Sequence, residues 1–314
     1  MPRQPSRSTS WSIASCPRSR SSPRPAARTT PKATSWPWAS PSPSPTPSAS
    51  SSTPPTSCDR LAPVPDIVAT LRAAGCVFAE EEAELILAAA DTPEQLAAMV
   101  GRRAAGEPLE QVVGWAEFCG LRIAVDPGVF VPRRRTEFLV EQAREVTPVG
   151  AVVVDLCCGT GALGRALSAA APVGALHAAD LDPAAVACAR RNLAEAATVH
   201  QGDLFDALPA ELRGRVDVLL ANVPYVPTAE IALLPTEARD HEARLALDGG
   251  SDGLAVLRRV AAGAGDWLRP GGHLLFETSE RQVARAVAVV TTAGLTATVA
   301  VDEDLDATVV LAAR

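Results

Sequence analysis

Three apolar stretches that each lead to a carboxylate place the strongest constraint on the fold of this 314-residue chain. Residues 151–156 form a continuous apolar run containing Asp155, and the glycine-rich sequence 157–164 follows at once. The next apolar stretch ends in Asp180, and a third leads to Asp203. Continuous apolar runs of this length are typical of buried parallel strands, whose carboxyl ends meet at one edge of a sheet. The pattern predicts an α/β fold with a doubly wound sheet that binds a nucleoside at this edge.

Each carboxylate suits one part of such a ligand. Asp180 is placed to accept hydrogen bonds from both ribose hydroxyls, and Asp203 from the exocyclic amine of adenine, with Leu204 against the ring. Asp155 suits a cationic group, such as the amino group of S-adenosylmethionine. A helix cap or a solvated loop charge explains each acid taken singly. Three acids at successive strand ends, the first beside a glycine turn, favour the ligand site.

The glycine-rich sequence leaves other nucleotide folds to consider. Gly159 and Gly161 permit a tight turn and the close approach of backbone amides, and with Gly164 they match the G-x-G-x-x-G spacing of dinucleotide-binding loops. Asp155 at the start of the loop would repel a diphosphate, which counts against a dinucleotide. The sequence Gly-Lys-Ser/Thr does not occur, so a phosphate-binding P-loop is excluded.

The first sixty residues differ in composition from the rest. They contain seventeen serines and thirteen prolines, and their eight basic residues and one acid give a charge of +7, which leaves −14 on residues 61–314. Proline removes backbone donors, and serine adds no apolar area to offset the entropy of ordering. We therefore predict a disordered tail over residues 1–62, or else a start codon set too far upstream. The acidic remainder argues against a protein that binds nucleic-acid phosphate.

Cysteine and histidine usage gives no sign of a metal site. The seven cysteines show no C-x-x-C spacing, and the four histidines are scattered. An odd number of cysteines without a framework fits reduced thiols in a cytosolic protein. We predict no metal, a cytoplasmic location and no membrane span, since no apolar run reaches about 18 residues.

The end of a fourth predicted strand, residues 216–221, carries the most specific motif. Residues 222–225 read Asn-Val-Pro-Tyr, which resembles the Asn-Pro-Pro-Tyr signature of methyltransferases that act on adenine, cytosine or the side-chain amide of glutamine. Segments 102–111, 127–133 and 245–254 resemble stretches of one branch, the HemK-like release-factor glutamine methyltransferases. The resemblance covers nearly everything outside the tail.

This resemblance implies a seven-stranded, Rossmann-like sheet with S-adenosylmethionine at the carboxyl ends of its strands. It implies as substrate the glutamine in the Gly-Gly-Gln loop of a peptide-chain release factor. We expect a small helical substrate-binding domain over residues 63–110, a β-hairpin linker over 111–135 and the methyltransferase domain over 136–314. We expect a monomer with no stable nucleic-acid partner.

The Asn-Val-Pro-Tyr sequence suits the methylation of an amide nitrogen, a poor nucleophile whose lone pair is delocalised into the carbonyl. The Asn222 side-chain oxygen and the Val223 carbonyl can accept both N–H groups and turn the lone pair toward the methyl group, while Tyr225 packs on the planar amide. Alignment at near-contact distance then supplies most of the catalysis. The candidate site consists of catalytic Asn222, Val223, Pro224 and Tyr225, and of cofactor-binding Asp155, Cys157, Gly159, Thr160, Gly161, Asp180, Leu181, Asp203, Leu204 and Asn222.

Several positions depart from the family pattern. Val223 replaces a proline, so its φ is not locked. The family's Pro-Arg-Pro-Glu-Thr-Glu is Pro-Arg-Arg-Arg-Thr-Glu over residues 132–137, so Arg134 and Arg135 add positive charge near the expected substrate entrance. Two cysteines, at 157–158, stand where small residues or threonine are usual. These departures put the release-factor substrate, more than methyl transfer itself, in question.

The last part of the chain is interpreted mainly as scaffold. Residues 268–277 predict a turn followed by a strand, and residues 295–301 and 307–312 predict a closing antiparallel pair. Glu277 and Gln282 resemble a family position near the active site, but we interpret Glu277 as a solvated strand end.

Two other functions are compatible with the motifs. A methyltransferase acting on an exocyclic amine in DNA or RNA would need a continuous basic groove from Arg133, Arg134 and Arg135, and the acidic composition disfavours it. A non-catalytic module that binds S-adenosylmethionine is suggested by Val223 and by the altered segment 132–137.

Overall fold

The computed structural model describes residues 64–314, so the tail predicted over residues 1–62 lies outside the described residues. The helices are α1 (Val64–Ala73), α2 (Ala79–Ala89), α3 (Pro93–Ala104), α4 (Leu109–Val113), α5 (Glu137–Val146), α6 (Ala162–Ala170), α7 (Pro183–Leu193), α8 (Thr236–His241), α9 (Arg244–Leu247), α10 (Ala255–Trp267) and α11 (Val283–Thr292). The strands are β1 (Trp115–Phe118), β2 (Leu121–Ala124), β3 (Ala151–Leu156), β4 (Val173–Asp180), β5 (Thr198–Gln201), β6 (Val216–Ala221), β7 (Leu268–Thr278), β8 (Thr296–Asp302) and β9 (Ala307–Ala313). None of the helices in this part of the chain is both long and apolar enough to cross a membrane.

Strands β3 to β9 form one seven-stranded sheet in the order β5-β4-β3-β6-β7-β9-β8. The pairs from β5 to β7 are parallel, and β9 runs antiparallel to both of its neighbours. The predicted doubly wound, seven-stranded sheet is confirmed. The strand order reverses between β3 and β6, and ligands of such sheets bind outside the carboxyl ends of the strands at this point.

Helices cover both faces of the sheet. Val153 of β3 belongs to the core formed with α5, α6 and α7, and the adjacent Val154 belongs to the core formed with α10 and α11. Successive side chains of a strand point to opposite faces, so a strand covered on both sides must be apolar at nearly every position. This explains the continuous apolar run that identifies β3 in the sequence.

Helices α1 to α4 enclose a separate small core, which includes Ile67, Leu71, Ile86 and Leu96. Helix α4 ends at Gly114, whose φ of +84° suits glycine. The antiparallel β1–β2 hairpin therefore begins at Trp115, later than the boundary at residue 111 predicted for the linker. The division into a substrate-binding unit and a catalytic domain stays a prediction.

Candidate active site

A cavity of about 440 Å³ opens at the carboxyl ends of β3, β4 and β6. All but two of the site residues predicted from the sequence line it. These are Cys157, Gly159, Thr160, Asp180, Leu181, Asp203, Leu204, Asn222, Val223, Pro224 and Tyr225. The expected cofactor site and the expected acceptor site are thus parts of one continuous cavity.

The glycine-rich loop after β3 is fixed by the end of β4. One carboxylate oxygen of Asp180 accepts a hydrogen bond from the Gly159 N–H at 2.9 Å, and the other accepts from the Asp182 N–H at 2.9 Å. Burial raises the pKa of Asp180, and these two N–H donors oppose the rise. A Cβ atom on Gly159 would meet no atom within 4 Å, so the loop backbone there borders open space. Each Asp180 oxygen keeps a lone pair for a further donor.

Gly161 does not line the cavity. Its φ is +77°, and a Cβ atom at this position would lie 2.9 Å from Leu193 Cδ1. The glycine therefore lets the start of α6 approach α7 closely. Its predicted contact with the cofactor stays a prediction, and the structure gives it a packing role.

Asp155 is likewise absent from the lining and is fully buried. Its Oδ2 accepts from the Gly164 N–H at 2.9 Å, whereas its Oδ1 has no hydrogen-bond partner within residues 64–314. Burial, and to a smaller extent the nearby charge of Asp180, raises the pKa of Asp155 to about 8 against the opposing effect of the Gly164 N–H. A buried carboxylate oxygen without a partner is costly, so Asp155 has unused capacity to accept a hydrogen bond.

Replacing Asp155 by asparagine should change how the stability of the free protein depends on pH. Because the pKa of Asp155 is higher in the folded than in the unfolded chain, the stability it contributes is present below about pH 4 and is lost as the pH rises toward 8. The asparagine side chain does not titrate. As the pH rises from about 4 toward 8, the free energy of unfolding of the variant should therefore increase relative to that of the wild type, by up to roughly 1.4 kcal/mol per pH unit. Urea unfolding at pH 5 and pH 8 measures the difference. The exposed Asp304→Asn variant should follow the wild type, and parallel curves for wild type and Asp155→Asn would contradict the account.

The third predicted carboxylate has a partner that the sequence did not indicate. Asp203 Oδ2 accepts from Arg259 Nη2 at 2.8 Å, and both residues line the cavity. The neighbouring Leu204 is buried with a φ of +49°, which is rare for a residue with a side chain. Arg259 lies on α10 outside any motif, so no sequence signal pointed to it.

The Asn-Val-Pro-Tyr loop follows β6, and the backbone at its end is held by hydrogen bonds to residues outside the loop. Gln282 Nε2 donates to the Tyr225 carbonyl at 3.0 Å, and the Val226 N–H donates to the Leu247 carbonyl at 3.1 Å. In the described part of the chain, neither the side-chain amide of Asn222 nor the carbonyl of Val223 has a hydrogen-bond partner. Both groups predicted to bind the acceptor are therefore available to accept hydrogen bonds from a substrate.

The interpretation of Glu277 as a solvated strand end is wrong, because this residue is only 3% exposed. Its Oε1 accepts from Arg135 Nε at 2.8 Å and from the Tyr225 hydroxyl at 3.0 Å, and its Oε2 accepts from Thr136 Oγ1 at 2.6 Å. Burial, followed by the charge of Glu277, raises the pKa of Tyr225 to about 12, so its hydroxyl stays protonated at neutral pH. The resemblance of Glu277 to a family position near the active site is the sequence signal that could have identified its role.

The arginines at 133–135 do not form a free basic groove. Arg133 Nη2 donates to both oxygens of the buried Glu242 at 2.7 Å, and Arg135 is paired with Glu277. Within residues 64–314, Arg134 is exposed and has no ion-pair partner. Of the two arginines expected to add positive charge at the substrate entrance, Arg135 is therefore neutralised by a buried carboxylate and Arg134 is not.

Comparison with known proteins agrees with this geometry. The family model described as the methyltransferase small domain matches residues 120–262, which contain the glycine-rich loop and the Asn-Val-Pro-Tyr loop. A release factor glutamine methyltransferase of Mycolicibacterium smegmatis is 42% identical over 239 residues, which cover 70% of this chain and 84% of the relative. The chain belongs to the release factor glutamine methyltransferase family. The resemblance predicted from the motifs is confirmed.

Relatives of the chain differ in coverage and in the acceptor that their names give. A release factor glutamine methyltransferase of Geobacter sulfurreducens is 41% identical over 191 residues, and the match spans 59% of this chain and 66% of that relative, just under two thirds of its length. A 4-amino-L-phenylalanine/4-methylamino-L-phenylalanine methyltransferase of Streptomyces pristinaespiralis is 36% identical over 228 residues, 70% of this chain and 77% of the relative.

As a member of this family the chain is an S-adenosylmethionine-dependent methyltransferase, and the cavity fits that cofactor. Asp180 offers two carboxylate oxygens with free lone pairs toward ribose hydroxyls, and the Gly159 backbone borders open space. Asp155 Oδ1 has no partner in the described part of the chain, but Asp155 does not line the cavity, so its predicted contact with the amino group of the cofactor stays a prediction. The acids and apolar side chains of the lining suit an uncharged base and ribose better than a diphosphate.

Proposed function

We propose that this enzyme transfers the methyl group of S-adenosylmethionine to the side-chain amide nitrogen, N5, of a glutamine in a protein, and that the glutamine belongs to the Gly-Gly-Gln loop of a peptide-chain release factor. The observation that carries the proposal is the pair of unpartnered acceptors, Asn222 and the Val223 carbonyl, within the same cavity as the cofactor residues. A cytoplasmic location follows from this assignment, since release factors act at ribosomes.

The residues of the loop account for the selection of an amide. An NH₂ group offers two donors, and the Asn222 oxygen and the Val223 carbonyl provide two acceptors for them. Holding both N–H groups fixes the nitrogen, which gives it the orientation needed for transfer. S-adenosylmethionine, when bound, supplies a methyl group made electrophilic by its sulfonium. Because Val223 is buried, the replacement of the family's proline leaves its carbonyl in a packed loop.

The charges around the cavity favour a protein acceptor over a nucleic acid. Arg133 and Arg135 are paired with Glu242 and Glu277, so they do not offer the row of free cations that phosphate binding requires. The intact pair of acceptors in the loop also supports turnover over a purely ligand-binding role.

Incubation with S-adenosylmethionine carrying a labelled methyl group tests the proposal. We expect label on the purified release factor, and tandem mass spectrometry should place one added methyl group on the glutamine of the Gly-Gly-Gln peptide. The matched control is a release factor with that glutamine replaced by alanine, which should remain unlabelled. Parallel incubations contain ribosomal proteins, RNA, DNA and 4-amino-L-phenylalanine. Label on one of these and none on the release factor would overturn the assignment of the acceptor.

A further inference from the structure

The guanidinium of Arg135 holds the hydroxyl of Tyr225 in a closed ring of hydrogen bonds. Arg135 Nε donates to Glu277 Oε1 at 2.8 Å, and Arg135 Nη2 donates to the Tyr225 hydroxyl at 2.6 Å. The hydroxyl in turn donates to the same Glu277 oxygen at 3.0 Å. Each pair among these three side chains is therefore directly bonded.

This ring uses both hydrogen-bonding functions of the tyrosine. A phenolic hydroxyl has one proton to donate, and that proton is directed to Glu277, while Arg135 donates to the oxygen. The hydroxyl consequently has no donor left for an acceptor substrate. Tyr225 lines the cavity, so what it presents there is the ring, at an orientation set by the two tethers.

The chemistry of arginine makes this arrangement possible. The family pattern places glutamate at the position of Arg135. A glutamate there would face the carboxylate of Glu277, and two adjacent carboxylates repel each other and cannot form this ring. A guanidinium can, because its Nε and Nη2 donors lie in one plane and reach two oxygens at once.

We propose that Arg135 is a positioning residue for methyl transfer. Directly and through Glu277, it fixes the ring of Tyr225 as a rigid wall of the part of the cavity next to the Asn-Val-Pro-Tyr loop. The proposal rests on the proposed function, in which the ring of Tyr225 packs on the planar acceptor. It assigns a role to a residue outside the predicted site, and it requires a guanidinium at this position to reach both oxygens.

The single tyrosine of the chain gives a readout that does not depend on the acceptor. Ring-labelled [¹³C]tyrosine in the full-length enzyme produces signals from Tyr225 alone. We expect Arg135→Gln to shift or broaden these signals, and the adjacent Arg134→Gln, which removes the same charge from an exposed side chain, to leave them unchanged. Unchanged tyrosine signals in Arg135→Gln, or equal changes in both variants, would overturn the proposal even if no acceptor were known.

Kinetics with the release factor provide the second arm. We expect Arg135→Gln to lower kcat/KM for the acceptor by about 10- to 100-fold, with the affinity for S-adenosylmethionine measured by calorimetry unchanged. Arg135→Lys should recover part of the loss, because lysine retains the charge but not the planar pair of donors. Arg135→Glu, which restores the family's residue, should be at least as impaired as Arg135→Gln. An Arg135→Glu enzyme as active as the wild type would overturn the proposal.

A double-variant cycle separates positioning from a general loss of structure. Tyr225→Phe removes the hydroxyl and both of its tethers, so combining it with Arg135→Gln should lower kcat/KM little further than the more severe single variant. Strictly additive losses would show that the two residues act independently. Failure of the wild type to modify any release factor would refute the proposed acceptor, while the tyrosine signals would still decide the role of Arg135.

Discussion

Replacing Asn222 by alanine is expected to lower kcat/KM for the acceptor by at least about 100-fold, the scale seen when one preorganised hydrogen-bonding group is removed from a reacting centre. The side-chain amide has no hydrogen-bond partner within the described residues and lines the cavity, so its loss breaks no hydrogen bond of the fold. The acceptor nitrogen would lose one of its two anchors and with it the orientation of its lone pair. Initial rates with labelled methyl donor and the release factor measure the effect.

Two controls keep this prediction specific. Asn222 is predicted to contact the cofactor as well as the acceptor, so calorimetry should show a loss of affinity for S-adenosylmethionine in the alanine variant that is much smaller than the loss of kcat/KM, below the 1.4 kcal/mol of a tenfold change. The Asn222→Asp variant retains an acceptor oxygen at the same place and should be more active than the alanine variant. If alanine at 222 weakened cofactor binding as much as it slowed transfer, or left transfer intact, the assigned role would be wrong.

Removing the carboxylate of Asp180 should act on the other ligand. We expect Asp180→Ala to raise the Kd for S-adenosylmethionine by about 100- to 10,000-fold, since two hydrogen bonds to a charged group contribute about 1.5–3 kcal/mol each and about 1.4 kcal/mol corresponds to a tenfold change in Kd. The variant also frees the Gly159 and Asp182 N–H groups that the carboxylate holds. Calorimetry on the full-length protein measures the change directly.

The matched control for this variant is Asp206→Asn. Asp206 is exposed, lies a few residues beyond Asp203 and does not line the cavity. Its substitution therefore removes one negative charge from the same region without changing the site. Its Kd should stay close to that of the wild type. Equal losses in Asp180→Ala and Asp206→Asn would mean that overall charge, and not the carboxylate at the end of β4, governs binding.

The sheet and the location of the site could be predicted from the sequence because their signals are local. A buried parallel strand is apolar along its whole length, and the turn and carboxylate that follow it are adjacent in the chain. Asp180, Asp203 and Asn222 each follow a strand, so the topology of the sheet alone places them at one edge. The cavity that they line is the result.

The environment of single side chains could not be predicted in the same way, because it depends on residues distant in the chain. Glu277 is covered by Arg135, 142 residues earlier, and by Tyr225, 52 residues earlier. Arg259 reaches Asp203 across 56 residues. The sequence places Asp155 and Gly161 at the glycine-rich loop but does not show which way they face. In the structure both face packed surroundings and not the cavity.

The buried guanidinium of Arg103 gives the small helical unit a direct connection to the cavity wall. It donates to Glu82 of α2 at 2.6 Å and to Glu237 of α8 at 2.6 Å, and Glu237 lines the cavity. A substitution that loosens α2 or α3 is therefore expected to disturb Glu237 without changing any residue that lines the cavity. The helical unit and this stretch of the cavity wall therefore share one network of ion pairs centred on Arg103.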